Sequence, residues 1–143
     1  MGGAASPAGT LNGTTCTAEF DAATGTLTLW NYAGGNIEPG SGDLIVKLVG
    51  NNTITGDGML LLSGVGNITI TSNSNGRLDM NIADTSTFPL SGIHSEDDII
   101  ISGNAKVNVN ANNTKGTSVQ AIYANNNIKI LDQADVNVMI KSK

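Results

Sequence analysis

The sequence predicts an all-β chain wound as a parallel β-solenoid of about four to five coils, with a β-hairpin as its N-terminal cap. Three observations predict it. One strand–turn–strand corner is written four times, as Ile37 to Val46, Leu62 to Ile70, Gly92 to Ile101 and Ala121 to Ile130. Aligned on Leu44, Ile68, Ile99 and Ile128, these corners are spaced by 24, 31 and 29 residues. The composition agrees: apolar residues are 39% of the 143, aromatics only 3% and charged residues only 13%, so the core is aliphatic and Gly, Asn, Thr and Ser supply turns. A repeat this short cannot bury its own apolar face, but stacked repeats can, each aliphatic side chain resting on its equivalent below.

Taken in order, residues 1–15 read as a flexible N-terminal segment rich in Gly, Ala, Ser and Thr, and 16–143 as the solenoid domain. Within that domain, 16–32 is the hairpin cap and 33–143 the stacked coils. The cap comes from two short alternating runs, Cys16 to Phe20 and Thr26 to Tyr32, around the Gly-ended loop Asp21 to Gly25. Each corner strand then alternates, with Leu44/Val46, Ile68/Ile70, Ile99/Ile101 and Ile128/Ile130 on one face. A second strand follows at Ile54, Leu78/Met80, Val107/Val109 and Val136/Val138, and a third at Leu62, Ile93 and Ile122. Strands of one phase in successive coils pair in parallel, the intervening coil being the long crossover that parallel pairing requires. Before each corner strand stands Asp43, Asn67, Asp98 or Asn127, preceded by Gly42, Gly66, Asp97 or Asn126. These types tolerate positive φ, so a left-handed residue is expected in this turn. The first set is read as a structural ladder of Asx side chains bonding backbone amides.

Several function classes are excluded or left open by the totals. The net charge is −5 with no basic cluster, which argues against nucleic acid. Cys16 is the single cysteine, so no intrachain disulfide forms. The longest apolar run, Met59 to Leu62, is four residues, far short of a membrane span. Met1 to Gly9 lacks a hydrophobic export core, the pattern of a mature secreted domain without its leader.

At the corners the chain resembles a known type of repeat. Asp21 to Leu29, followed by Gly42 to Val46 and then Gly50 to Thr55, resembles the opening of repeat domains in bacterial cell-surface proteins. Ser91 to Gly103 and Val107 to Val109 resemble their inner coils. These carbohydrate-binding domains are right-handed, single-stranded parallel β-helices, similar in shape to pectate lyases. The resemblance implies a polysaccharide partner such as a plant or microbial cell-wall glycan, an extracellular or cell-surface location, and calcium in some members. The matched residues are core and turn positions, so no catalytic residue is carried over. The family pattern runs for more coils, and Met139 to Lys143 falls inside one, so a short member or a shortened chain is expected.

Candidate sites lie on outward columns. If Ile93 and Ile122 point inward, His94 and Tyr123 point outward in one column, about 4.8 Å apart, with Ser63 and Glu38 below. They are read as a sugar-stacking pair; the alternative is two half-exposed side chains that only cover the strand. Trp30 and Tyr32, at i and i+2, form a second candidate platform for carbohydrate, unless both rings pack as a cap. Glu96 and Asp97, on the turn before Asp98, are candidate ligands for a calcium ion, with Asp84 nearby in the insertion from Ala83 to Leu90. No cofactor is required. Arg77, Lys106 and Asp135 share one column, read as a surface charge ladder. Asp79 and Asp84 are the carboxylates available for hydrolysis, and nothing in the sequence sets them face to face. With a single His and no nucleophile–base pattern, the catalytic checklist is unmet. The leading reading is therefore a non-catalytic polysaccharide-binding module. The runner-up is a structural or adhesive repeat element without its own ligand, prone to homo-oligomerise or stack end to end. A polysaccharide lyase comes third. An ice-binding surface is set aside, because the outward column Thr28, Ile45, Thr69, Ile100, Lys129 is irregular.

Overall fold

Short β-branched segments separated by Gly and Asx residues form strands throughout, and the computed structural model describes residues 10–11, 14–15, 18–37, 42–56, 60–83, 90–113 and 118–142. Among the described residues the structure is all-β, with no helix. The strands are β1 (Thr10–Leu11), β2 (Thr14–Thr15), β3 (Ala18–Asp21), β4 (Thr26–Trp30), β5 (Ala33–Gly34), β6 (Leu44–Val49), β7 (Asn51–Gly56) and β8 (Leu60–Gly64). They continue as β9 (Ile68–Ser72), β10 (Arg77–Ala83), β11 (Leu90–Ser95), β12 (Ile99–Gly103), β13 (Lys106–Asn113), β14 (Val119–Ala124), β15 (Ile128–Ile130) and β16 (Asp135–Ser142).

β1 and β2 pair antiparallel with each other, and three larger sheets hold the remaining strands. A six-stranded sheet runs β15-β12-β9-β6-β4-β3, a five-stranded sheet β16-β13-β10-β7-β5, and a three-stranded sheet β14-β11-β8. From β6 onward the chain visits the sheets in a constant order, six-stranded, five-stranded, three-stranded, and every pairing among these strands is parallel. The register follows the repeat. Leu44, Ile68, Ile99 and Ile128 lie side by side, as do Leu78, Val107 and Val136, and Leu62, Ile93 and Ile122. Ile37 extends the last row by a parallel bridge to Leu62. The expected hairpin is present: β3 and β4 pair antiparallel around Ala22 to Gly25, and β4 joins β6 in parallel. Cys16 lies outside the described residues.

Inward-facing side chains of the three sheets fill a shared interior. Leu29, Val46, Ile70 and Ile101 of the six-stranded sheet, Ile54, Met80 and Val109 of the five-stranded sheet, and Leu62 and Ile93 of the three-stranded sheet are all 0% exposed. Each such aliphatic side chain contributes about 1.5–3 kcal/mol on burial. The interior also takes polar groups the sequence did not single out. Asn52 is fully buried; its Oδ1 accepts from Tyr32 N at 2.8 Å, and its Nδ2 donates to the carbonyls of Val49 and Arg77 at 3.3 and 3.2 Å. Ser72 and Ser95 do the same at other turns, donating to Leu48 O and Gly66 O while accepting neighbouring backbone N–H groups.

The Asx ladder is formed. Asp43 Oδ1 accepts from Asn67 N at 2.9 Å, Asn67 Oδ1 from Asp98 N at 3.1 Å, and Asp98 Oδ1 from Asn127 N at 3.0 Å. The left-handed residue expected in that turn is a correction. Of the eight positions named for it, only Gly42 has positive φ, at 96°. The left-handed residues recur instead at the exit from the six-stranded sheet, in Asn31, Gly50, Asn75, Gly103 and Asp132, with φ between 48° and 72°. At the ladder turn, the side-chain bonds already reverse the chain with ordinary φ. At the exit, the chain must swing into the next sheet within a few residues, which a left-handed residue accomplishes.

Candidate functional site

The parallel register of β11 and β14 sets His94 beside Tyr123, and Ser63 of β8 on the other side of His94. The two rings stack, with centroids 5.0 Å apart and planes inclined by 19°. The contact expected from the sequence is therefore made. The structure adds two residues to it. His94 Nε2 lies 3.1 Å from Glu96 Oε1, Asn125 Nδ2 donates to Glu96 Oε2 at 2.9 Å, and the Tyr123 hydroxyl donates to Asn125 Oδ1 at 2.9 Å. Two side chains from adjacent strands and two from the turns that follow them thus close a ring of contacts. The Tyr123 hydroxyl is directed to Asn125 rather than to His94, so the His–Glu pair activates no nucleophile within this group. What remains is a partly exposed aromatic edge framed by a carboxylate and an amide.

Glu38 and Asp84 lie outside the described residues. For calcium, Glu96 is engaged by His94 and Asn125, and Asp97 Oδ1 accepts from Asn126 Nδ2. Among the described residues no three His, Cys, Asp or Glu side chains converge. Glu96 and Asp97 each accept a hydrogen bond from the turn 29 residues further along the chain.

The platform expected from Trp30 and Tyr32 assumes one continuous strand. Strand β4 ends at Trp30, and Asn31 turns the chain with φ of 48°. The i, i+2 rule holds only along extended backbone, so the two rings do not share a strand face. Tyr32 packs partly buried against the core and its hydroxyl donates to Gly35 O at 3.2 Å. Burial pushes its phenol pKa upward.

A second surface was missed in the sequence. On the outward face of the five-stranded sheet, Asn108 Nδ2 donates to Asp79 Oδ1 at 2.9 Å, and Asn137 Nδ2 donates to Asn108 Oδ1 at 3.2 Å. In the next row Asn110 Nδ2 donates to Asn81 Oδ1 at 3.3 Å. Beside them Arg77 pairs with Asp79 at 2.8 Å, two residues along its own strand. Arg77, Lys106 and Asp135 are in register as expected, but the carboxylate partner of Arg77 is Asp79, because that pair shares the outward face of one strand. A shallow depression of about 320 Å³ is lined by Arg77, Asn108, Asn110, Asn137, Val138 and Met139. A neighbouring one of about 310 Å³ is bordered by Asn81, Asn110, Asn112 and Lys141. An amide bonded once through its N–H₂ and once through its oxygen keeps one hydrogen and one lone pair for a ligand. The signal was present in the alternation Val107-Asn-Val109-Asn-Ala111-Asn and Val136-Asn-Val138. It had been used only to locate the inward aliphatic residues.

Compared with known proteins, the chain matches no family model, no curated protein and no solved structure. Among the described residues no helix is long and apolar enough to cross a membrane.

Proposed function

We propose that this chain is a right-handed, single-stranded parallel β-helix that binds an extended polysaccharide at the cell surface without catalysing its cleavage. The constant order of visits to three parallel sheets supports the β-helix, and the strong right-handed preference of parallel crossovers supports its hand. The observation that carries the binding reading is the amide face Asp79–Asn108–Asn137 with Asn81–Asn110 beside it. Sugar hydroxyls both donate and accept, and each ladder amide offers both functions. A polymer lying across the strands meets an equivalent amide about every 4.8 Å, the spacing of neighbouring strands. Arg77 and Lys106 at the margin suit an acidic sugar, and the His94–Tyr123 edge is a second contact zone. A net charge of −5 disfavours nucleic acid as the polymer.

The test is affinity electrophoresis in gels containing neutral or acidic polysaccharides. The wild-type chain is expected to be retarded by at least one of them. The double variant Asn108→Ala/Asn137→Ala is expected to bind roughly thirtyfold more weakly, from two hydrogen bonds of about 1 kcal/mol each. Failure of every glycan to retard the chain would leave the structural-repeat reading in its place. Release of unsaturated sugar on incubation with polygalacturonate would overturn the non-catalytic part.

A further inference from the structure

We infer that Asn75–Gly76 is a latent self-modification site, a succinimide-forming pair that the folded chain keeps closed through the buried hydroxyl of Ser72 and releases when that turn opens. The chain holds two Asn–Gly pairs, Asn12–Gly13 and Asn75–Gly76, of which the second lies among the described residues. In such a pair the glycine backbone nitrogen gives its proton to hydroxide and attacks the asparagine Cγ. A C–N bond forms, the bond from Cγ to the amide nitrogen breaks, and ammonia leaves with a proton from water, which restores the hydroxide. Water then opens the imide ring to aspartate or to isoaspartate, whose backbone is longer. The reacting groups are tethered in one dipeptide, and glycine adds no side chain to hinder the attack.

The turn itself demands this pair. Asn75 has φ of 56°, a left-handed conformation that Asn tolerates better than most non-glycine residues. A Cβ on residue 76 would run into the backbone of Leu48, so only glycine fits there. Asn75 is exposed to water, while Gly76 is buried. The attacking atom is engaged: Gly76 N donates to Ser72 Oγ at 2.7 Å, and Ser72 is itself 1% exposed. That hydroxyl is saturated. It donates its hydrogen to Leu48 O at 2.8 Å and accepts also from Ser74 N at 3.2 Å. It has no lone pair left to take the Gly76 proton and no hydrogen left to polarise the Asn75 carboxamide. Gly76 is pinned on its other side too. Its carbonyl accepts from Lys106 N at 2.9 Å, and the next amide, Arg77 N, donates to Gly50 O at 2.8 Å. Hydroxide reaches the Gly76 N–H, and the nitrogen swings toward Cγ, only once the turn has let go of Ser72.

Mass spectrometry of proteolytic peptides tests this on the 143-residue chain, incubated at mildly alkaline pH both folded and in guanidinium chloride. In the denaturant Asn75 and Asn12 are expected to convert at similar rates. In the folded chain conversion at Asn75 is expected to be slower by roughly tenfold or more, because the reaction waits on local opening. Ser72→Ala, with far-UV circular dichroism unchanged, is expected to convert at Asn75 several times faster than the folded wild-type. Should that variant fail to fold, hydrogen exchange of the wild-type decides, and the Gly76 N–H is expected to exchange far more slowly than a solvent-exposed amide. Equal rates at Asn75 in the folded and unfolded chains overturn the inference. So does a folded Ser72→Ala chain that converts no faster than wild-type, or a Gly76 N–H that exchanges as freely as an exposed amide.

Discussion

The carboxylate of Asp98 joins two successive ladder turns. Its oxygens accept from the backbone N and Nδ2 of Asn127 at 3.0 and 3.1 Å and from Lys129 Nζ at 3.1 Å, while its own N–H donates to Asn67 Oδ1. The hydrogen bond from the Lys129 ammonium, reinforced by Asn127, holds the Asp98 carboxyl below its ordinary pKa. A depressed folded-state value means the ionised form is the stabilising one. The contribution is present above the unfolded value, about 3.9, and is lost as pH falls through the lower folded value. Asp98→Asn is therefore expected to lower the melting temperature at neutral pH, with the difference from wild-type closing in acid. Added salt is expected to shrink the difference too, because Lys129 is half exposed. Melting curves at several pH values check this. At this scale the ladder was legible, because Asx residues recur at one phase. The ring of Glu96 and Asn125 around His94 and Tyr123 was only half legible. Each of its members sits in the same column as its partner 29 residues on, but which polar tips meet depends on rotamers.

Among the elements, the exit turns from the six-stranded sheet depend most on contacts distant in sequence. Asn52 holds three such segments: the backbone of Tyr32 after β4, of Val49 at the end of β6 and of Arg77 at the start of β10. Removing its amide takes a hydrogen-bond partner from Tyr32 N and Arg77 O at a buried site, while Val49 O keeps the N–H of Asn31. Asn52→Ala is expected to cost roughly 2–4 kcal/mol, measured as a shift in urea unfolding, on the usual penalty for unsatisfied buried groups. Strand positions were legible in the sequence because period-2 alternation fixes which side chains share a face. The exit turns were not, because their left-handed residues are Asn, Gly, Asn, Gly and Asp at uneven spacing. No single residue type marks them. Between Trp30 and Tyr32 the same kind of residue, Asn31, interrupts the strand that the i, i+2 rule assumes.

Over the whole molecule, stability comes from aliphatic rows running across the strands. Ile99 lies in the middle of one, between Ile68 and Ile128, and is 0% exposed. Ile99→Ala is expected to cost about 2–5 kcal/mol, as cavities in packed cores do. Val65→Ala, at a turn residue 58% exposed, is expected to change stability by no more than about 0.5 kcal/mol. Equilibrium denaturation of both variants provides the comparison. The sequence by itself determined the strand class, the parallel rows with their register, the hairpin and the Asx ladder, because each is written in local alternation and in the recurrence of residue types. The tertiary structure alone decided how deep each position lies, which turns go left-handed and where a polar surface becomes continuous. Ile99 and Ile128 are identical in the pattern, and they differ because one has a strand on both sides and the other on one. Burial belongs to the stack rather than to the repeat.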